Sequence, residues 1–446
     1  MNELTWVYGT IGLIVGTFAV QVLRRRFDPF APIWLFFVGY TQIYVVQALS
    51  YHEWAVRTRG VDLVAAANFR AFWALAWFIG LYHFGPCRAL ARVLPKPPRR
   101  WSTGPVFVLS PLLIFWGLFC AGLVLRGGDN AGEPTAEVSL ILSFPLVMLV
   151  AGVMLIVSGR QPGRPRPGLT AAGVATVATY MLIWMFNGKR SHSLVAVLVG
   201  VCAFYIPRLK RPSFPMLVVT AATGIMAVGI SIGWRYYASQ HDGYGSVSKF
   251  IGFVTTFDPS TILESINVKE KEAKEGIVVT YETEEYGGFL LMMDTVPMRS
   301  DYDYGANYLR VFSTFIPRVI WTDKPIYGRT QWIAAWIAGS EMKREAYFAG
   351  PAIGIMGATQ LNGGPIGTAI VMAVVAMLLG STYQYFRLHA DVPWVQAWWP
   401  LWYYNAWFMT VNDDPCNWFY YNFGFTTMPT LVLLWFVNKV GGGDRA

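Results

Sequence analysis

Charge is scarce in this chain. Asp, Glu, Lys and Arg make up 14% of its 446 residues, whereas 54% are hydrophobic. Soluble domains carry roughly 25% charged residues, so the deficit argues against an ordinary soluble protein and indicates a membrane protein. Acidic residues are the rarer sign, which leaves a formal net charge of +9. The basic residues lie mostly in short loops between apolar runs, as the positive-inside rule describes, and we expect no nucleic-acid partner.

Cysteine, leader sequences and repeats are also lacking. The four cysteines have no Cys-x-x-Cys spacing, so neither a disulfide framework nor a metal centre is predicted. No cleavable leader is expected, because Met1-Asn2-Glu3 is not basic and the first apolar run ends at Arg24-Arg25-Arg26. No internal repeat is visible, which argues against a transporter, since transporters are often built from inverted repeats.

Apolar runs near the roughly 20 residues that a bilayer requires fill most of the chain. They predict an all-α polytopic membrane protein with about 11 transmembrane helices and one large external loop subdomain. The predicted N-terminus is external and the C-terminus cytoplasmic. Three regions follow: a bundle of about eight helices over 1–234, an external loop with amphipathic or re-entrant helices over 235–362, and about three helices over 363–446. The predicted spans are Thr5–Leu23, Phe30–Ser50, Val61–Phe84, Gly104–Leu125, Ala136–Ser158, Leu169–Phe186, Ser193–Ile206, Ser213–Trp234, Gly364–Tyr385, Trp394–Val411 and Phe419–Val437.

Some basic residues lie on the predicted external side, where topology does not require them. They are Arg57, Arg59, Arg70, Arg126, Lys189 and Arg190. The apolar run Ser193–Ile206 spans only about 21 Å at 1.5 Å per residue, against about 30 Å of bilayer core. The turn before it should therefore draw Lys189, Arg190 and His192 toward the membrane, where charges usually face a polar cavity. The pattern predicts a diphosphate site; the alternative is a pair of snorkelling side chains at a helix end.

Arg70, Arg235 and His192 are further candidates for this site. Arg70 falls inside the third apolar run and predicts a buried substrate contact, unless the third helix begins after it. Arg235 follows Trp234 at the predicted external end of the eighth helix, a pairing that is typical of membrane interfaces. His192 is a candidate base near neutral pH or a polar residue that neighbouring groups satisfy.

The long polar segment holds the most distinctive stretch, Ile316–Pro325. Arg318, Trp321 and Lys324 recur every three residues, so they share one face if the segment is helical. Arg and Lys would bind phosphate and Trp would stack on a sugar; an interfacial helix without a site is the alternative.

Two glycine-rich runs, Gly350–Gly357 and Gly363–Gly367, follow the polar segment and indicate a broken or re-entrant helix, or close helix packing. Upstream of them, the carboxylates around Glu285 and Asp294 are candidates for a general base. A glutamate that stabilises a helix N-terminus is the more ordinary interpretation.

Taken together, these motifs resemble the O-antigen and exopolysaccharide polymerases, the Wzy-like family of oligosaccharide repeat-unit polymerases. The resemblance rests on the Gly-Lys-Arg-Ser turn at Gly188–Ser191, on Ile-Pro-Arg-x-x-Trp-x-x-Lys-Pro at Ile316–Pro325, and on Leu-Asn-Gly-Gly-x-x-Gly at Leu361–Gly367. It covers about residues 24–380. One departure is that relatives often have a carboxylate where this chain has Gly357-Ala358-Thr359-Gln360.

The resemblance implies a GT-C-like fold and an inverting glycosyltransferase that acts on undecaprenyl-diphosphate-linked oligosaccharides. It assigns the diphosphate to Arg190, Arg235 and Arg318, with Lys189 and Lys324 in support, and it requires neither a metal nor another cofactor. It also implies a place in the bacterial inner membrane with the active site facing the periplasm. A chain-length regulator and a flippase are the candidate protein partners. A ligase that moves the finished glycan to another acceptor is the alternative enzyme, and a polysaccharide transporter or flippase is the alternative outside enzymes.

Overall fold

The computed structural model describes residues 3–126, 146–240, 247–258, 285–306, 308, 321–322, 352–411 and 428–440. Within these residues every regular element is helical. The helices are α1 (Thr5–Leu23), α2 (Ile33–Ser50, with a π-helical turn at Gln42–Gln47), α3 (His52–Arg59), α4 (Val61–Phe84), α5 (Cys87–Val93), α6 (Thr103–Arg126), α7 (Leu146–Gly159), α8 (Pro167–Phe186), α9 (Arg190–Tyr205), α10 (Phe214–Gln240), α11 (Val247–Thr255), α12 (Glu285–Thr295), α13 (Gly354–Leu388), α14 (Pro393–Tyr403), α15 (Asn405–Val411) and α16 (Met428–Val440).

Eight of the described helices are long and apolar enough to cross a membrane. They are α1, α2, α4, α6, α8, α9 with the 3₁₀ turn that follows it, α10 and α13. This confirms the expected all-α, multi-pass membrane architecture. The larger number of about 11 spans and the GT-C-like arrangement stay predictions.

The structure differs from the predicted tenth span, Trp394–Val411. That stretch forms two short helices, α14 and α15, which are separated at Tyr404. Hydropathy averaged over a whole span does not detect the interruption, because Asn405 is an isolated polar residue within a largely apolar run. Pro400 also removes one backbone donor from α14.

Contacts divide the chain into two discontinuous units. Unit 1 comprises Met1–Pro95, Glu282–Leu388 and Asn405–Gly424. Its central element is α13, which packs against α4, α5 and α12, while α15 packs against α2. The division into three regions by polarity stays a prediction.

Unit 2 comprises Lys96–Tyr281, His389–Tyr404 and Phe425–Ala446. Its centre is α7, which is buried from Met148 to Gly159 and packs against α6, α8, α9 and α14. Small residues permit the closest of these contacts. A Cβ atom at Gly173 of α8 would lie 2.7 Å from the carbonyl oxygen of Gly152 in α7. Such small residues let transmembrane helices approach closely.

We predict that Gly173→Ala separates α7 from α8 and destabilises the protein by about 1–3 kcal/mol, the usual effect of overpacking. The measurement is the apparent unfolding temperature of the purified chain in detergent at a fixed scan rate. Gly168→Ala is the matched control in the same helix, because no atom lies within 4 Å of its added methyl group. The control should unfold at or slightly above the wild-type temperature. Identical unfolding of Gly173→Ala and wild type would contradict the close contact.

Candidate functional site

The first candidate site lies at the turn between α8 and α9 in unit 2. Helix α8 ends in a Schellman motif: the Lys189 N–H donates to the Trp184 carbonyl at 2.9 Å, and the Gly188 N–H donates to the Met185 carbonyl at 3.0 Å. Gly188 supplies the positive φ of 65° that the motif needs. Lys189 then serves directly as the residue before α9. The chain therefore reverses over Asn187–Lys189 alone.

Two serines set the register between α9 and α10. The hydroxyls of Ser193 and Ser231 lie 3.3 Å apart, and Ser193 also donates to the Lys189 carbonyl. Lys189 precedes Ser193 by four residues and Arg235 follows Ser231 by four. Since the two helices are consecutive and packed together, one helical turn from the serines places Lys189 and Arg235 at the same level.

Positive charge accumulates at this turn. Lys189 is exposed, yet partial desolvation by the surrounding protein lowers its pKa, and the Arg235 cation lowers it further. Arg190 is half-buried at the first position of α9, whose first turn contains no acidic residue and receives no side-chain cap. The N-terminal end of a helix carries about half a positive charge of its own. The turn is therefore suited to an anion. We call Lys189, Arg190, His192 and Arg235 the turn cluster.

The absence of acidic residues from this part of the sequence indicates an anion site more strongly than the short apolar run Ser193–Ile206 does. Between Glu137 and Asp242 there is no Asp or Glu, although the segment carries nine Lys and Arg residues in the loops between α7 and α10 and near the ends of α9 and α10. The ion pairs of the described residues join His52 to Glu3 and Arg59 to Asp294. Lys189 thus has no carboxylate partner among the described residues, and a bound anion would supply one.

His192 lies in the turn cluster but is held by protein groups. Its ring stacks on Trp184, with centroids 4.4 Å apart, and its Nδ1 lies 3.2 Å from the Ser191 hydroxyl. This geometry fits the interpretation of His192 as a polar residue with partners better than that of a free base.

Trp234 and Arg235 differ from their predicted placement. Arg235 is not at the end of its helix, because α10 continues to Gln240. Trp234 is fully buried, stacks on Phe186 and donates from Nε1 to the Phe186 carbonyl at 2.7 Å. The interfacial interpretation of the Trp-Arg pair is therefore wrong for Trp234, which belongs to the core and fixes α10 against the end of α8. Hydropathy alone does not separate a tryptophan in lipid from one in protein.

The second candidate site is a break in α13 of unit 1. Helical geometry fails at Gly363 and Gly364, which confirms the broken helix predicted from the glycine runs. Gly364 has φ 59° and ψ −133°, and a Cβ atom there would lie 2.7 Å from the Tyr302 hydroxyl. Close helix packing, the other interpretation of these runs, also applies, since a Cβ atom at Gly354 would lie 3.1 Å from the Tyr44 hydroxyl of α2.

Arg70 lies beside this break. It is about 14 Å along α4 from the first residue of the helix at 1.5 Å per residue, so the alternative that the third helix begins after Arg70 is wrong. Its Nη1 donates to Gln360 Oε1 at 2.6 Å, and Gln360 Nε2 donates to the Val296 carbonyl at 2.5 Å. The partner of Arg70 is a neutral amide, so its positive charge is oriented but not neutralised.

The candidate bases near Glu285 and Asp294 are engaged elsewhere in unit 1. Glu285 is the first residue of α12, is buried, and accepts from Gln47 Nε2 at 2.7 Å, which confirms the helix-terminus interpretation. Asp294 accepts from Arg59 at 2.8 Å. No sequence pattern points to Asp303, which is buried and whose N–H donates to the Leu361 carbonyl at 2.9 Å. Asp303 thus supplies a carboxylate next to the glycine-rich segment that lacks one.

The remaining site predictions concern the long polar segment. Arg318 and Lys324 lie outside the described residues, and Trp321 is described as exposed. The structure brings Lys189, Arg190, His192 and Arg235 together in unit 2 and places Arg70 in a separate group in unit 1. A shared face for Arg318, Trp321 and Lys324 stays a prediction.

Comparison with known proteins identifies no relative. No family model matches the chain. No curated protein matches it. No solved structure matches it either.

Proposed function

We propose that this chain is a glycosyltransferase that polymerises undecaprenyl-diphosphate-linked oligosaccharide repeat units into O-antigen or exopolysaccharide. The reaction takes place at the external face of the bacterial inner membrane. The turn cluster binds the diphosphate of the lipid-linked donor. The single observation that supports this most is the turn itself: Lys189 and Arg190 lie at the junction of the membrane-crossing helices α8 and α9, level with Arg235 in the last part of α10, in a segment without acidic residues.

Diphosphate is the anion that fits this arrangement. It offers several oxygens and more than one negative charge, so it pairs with several cations at once. Arginine presents a planar fork of donors that matches phosphate oxygens. A lipid-linked diphosphate also lies where a membrane helix ends, because its lipid stays in the bilayer.

The same cations explain how the reaction is accelerated. A hydroxyl of the acceptor glycan attacks C1 of the donor's reducing-end sugar, and its proton passes to the departing diphosphate, directly or through water. The bond from C1 to the diphosphate oxygen breaks, and negative charge develops on the departing lipid diphosphate. Positioned cations stabilise that charge as it forms, which is usually the largest contribution to such catalysis. No cofactor has to take part.

We predict that Arg190→Ala and Arg235→Ala each reduce polymer formation by about tenfold or more, since a charge-assisted contact contributes about 1.5–3 kcal/mol. The measurement is the ladder of products formed by the purified protein in detergent from lipid-linked repeat units, with and without added metal. Arg57→Ala is the matched control, because Arg57 is an exposed cation predicted on the same side of the membrane.

Wild-type ladders from both cluster variants would refute the assignment of the diphosphate to this turn. Strains that lack the gene separate polymerase from ligase. Single repeat units attached to the final acceptor indicate a lost polymerase, whereas polymer that accumulates on the lipid carrier indicates a lost ligase. Movement of the lipid-linked glycan across vesicle membranes without new glycosidic bonds would identify a transporter.

A second prediction concerns pH. The pKa of Lys189 lies below that of an ordinary lysine, and only protonated Lys189 attracts the diphosphate. Affinity for farnesyl diphosphate, used as a soluble probe, should therefore fall as pH rises through the lowered pKa of Lys189. Lys189→Arg should remove this fall, because arginine stays protonated over the whole range. Binding of the probe is measured by isothermal titration from pH 7 to about pH 10, where free lysine begins to lose its proton. Equal alkaline profiles for wild type and Lys189→Arg would contradict the role of Lys189.

A further inference from the structure

A second group of cations lies at the opposite end of α9. Arg160 directly follows α7, the buried central helix of unit 2, and is itself half-buried. Its guanidinium carbon lies 3.4 Å from the centroid of the Phe204 ring in α9. Stacking on an aromatic face is a favourable arrangement for a guanidinium. Arg160 is therefore held in one orientation by the fold.

The charge of Arg160 is only partly balanced. Burial lowers the pKa of Arg160, the nearby cation of Arg208 lowers it further, and Tyr205 opposes the shift. Arginine remains protonated at neutral pH because its pKa starts above 12. The carboxyl end of α7 offers about half a negative charge, which is less than the charge of the two guanidinium groups together.

Carboxylates of the described residues do not neutralise the remaining positive charge of Arg160 and Arg208. Among the described residues of unit 2 only Asp258 and Asp391 are acidic. Asp391 is exposed and lies just before α14. In that helix, the Gln396 side-chain oxygen accepts a hydrogen bond from Gln161 Nε2 at 3.0 Å. Arg160 takes no part in the ion pairs that join His52 to Glu3 and Arg59 to Asp294. Within the described chain Arg160 thus has no carboxylate within 4 Å, and its buried Nε has no hydrogen-bond acceptor.

Further cations surround the pair. Arg164, Lys210 and Arg211 are exposed in the two adjoining loops. Arg166 differs from them in that its Nη1 donates to the Thr103 hydroxyl at 2.8 Å. The net field at this end of α9 is therefore positive and favours an anion with several oxygen acceptors.

Apolar side chains next to the cations identify the kind of anion. Leu209 follows Arg208, has a positive φ of 51° and is 62% exposed. Phe214 begins α10 and is 77% exposed. A soluble anion would leave both in water, whereas a lipid would cover them with an acyl chain. The neighbouring helices α8, α9 and α10 are long enough to cross a membrane, so lipid molecules surround this end of α9.

We propose that Arg160 and Arg208 bind the phosphate of an anionic phospholipid, whose acyl chain covers Leu209 and Phe214. Arg160 supplies the oriented guanidinium and Arg208 the second, exposed cation. Clusters of basic residues at the ends of membrane helices are typical sites for acidic headgroups. The site is separate from the turn cluster and does not depend on the proposed glycosyl transfer.

The test is native mass spectrometry of the purified full-length chain with phosphatidylglycerol at rising concentration. We expect a first lipid that binds at least about tenfold more weakly to Arg160→Gln, the usual effect of removing a charge-assisted contact. Arg164→Gln is the matched control: it removes the same charge from the same loop at an exposed position. It should weaken binding by no more than about fivefold, the effect of one basic residue near a lipid surface, and clearly less than Arg160→Gln does. Arg208→Gln should weaken binding about fivefold, as expected for one basic residue near a lipid surface.

The outcomes separate the alternatives. Equal weakening in Arg160→Gln and Arg164→Gln would overturn the proposal, because it would indicate diffuse attraction without a site. Equal affinity for phosphatidylcholine would overturn the need for an anionic headgroup. Displacement of phosphatidylglycerol by millimolar inorganic phosphate would show that a soluble anion fills the site instead. If Arg160→Gln does not fold, Arg208→Gln decides, since Arg208 is exposed; wild-type binding by it would refute the paired site.

Discussion

A scarcity of carboxylates is the constraint on which the organisation of unit 2 depends. The segment between Glu137 and Asp242 has no carboxylate, yet its helices are apolar enough to lie in lipid. Cations in such surroundings are costly unless a polar cavity, a helix carboxyl end or a bound anion balances them. The two ends of α9 meet this requirement differently. At one end Lys189, Arg190 and Arg235 gather at a tight turn, and at the other Arg160 stacks on Phe204.

Unit 1 handles polar groups by pairing them internally. Gln47 donates to Glu285, Arg59 pairs with Asp294, and Arg70 donates to Gln360. Such pairing is required because polar groups buried among membrane helices lack water as an alternative partner. Backbone groups at the break at Gly363 and Gly364 also need partners within the protein. Thr368 donates to the Gly364 carbonyl at 3.0 Å, so part of the interrupted backbone is satisfied. Arg70 has no carboxylate partner among the described residues. An anion bound beside the break would therefore neutralise its charge.

The two proposals follow from this difference. A lipid diphosphate at the turn and a phospholipid phosphate near Arg160 would both supply negative charge that the described residues do not offer to Lys189 and Arg160. In the proposed glycosyl transfer the first anion would leave with its lipid, so the cations that bind it would also stabilise the charge that develops during the reaction. The second anion stays and would serve to anchor unit 2 in the bilayer.

Composition and hydropathy by themselves determined the membrane class, the helical fold and the limits of helices such as α1 and α4, since each of these depends on burial in lipid. They also identified Lys189, Arg190 and Arg70 as cations that topology does not require. Only the tertiary structure decided that Trp234 is a core residue, that α14 ends at Tyr403, and that Asp303 lies against the carbonyl of Leu361. The reason is that hydropathy does not distinguish burial in lipid from burial in protein. Contacts between residues far apart in the chain, such as Arg70 with Gln360, are set by packing rather than by any local pattern.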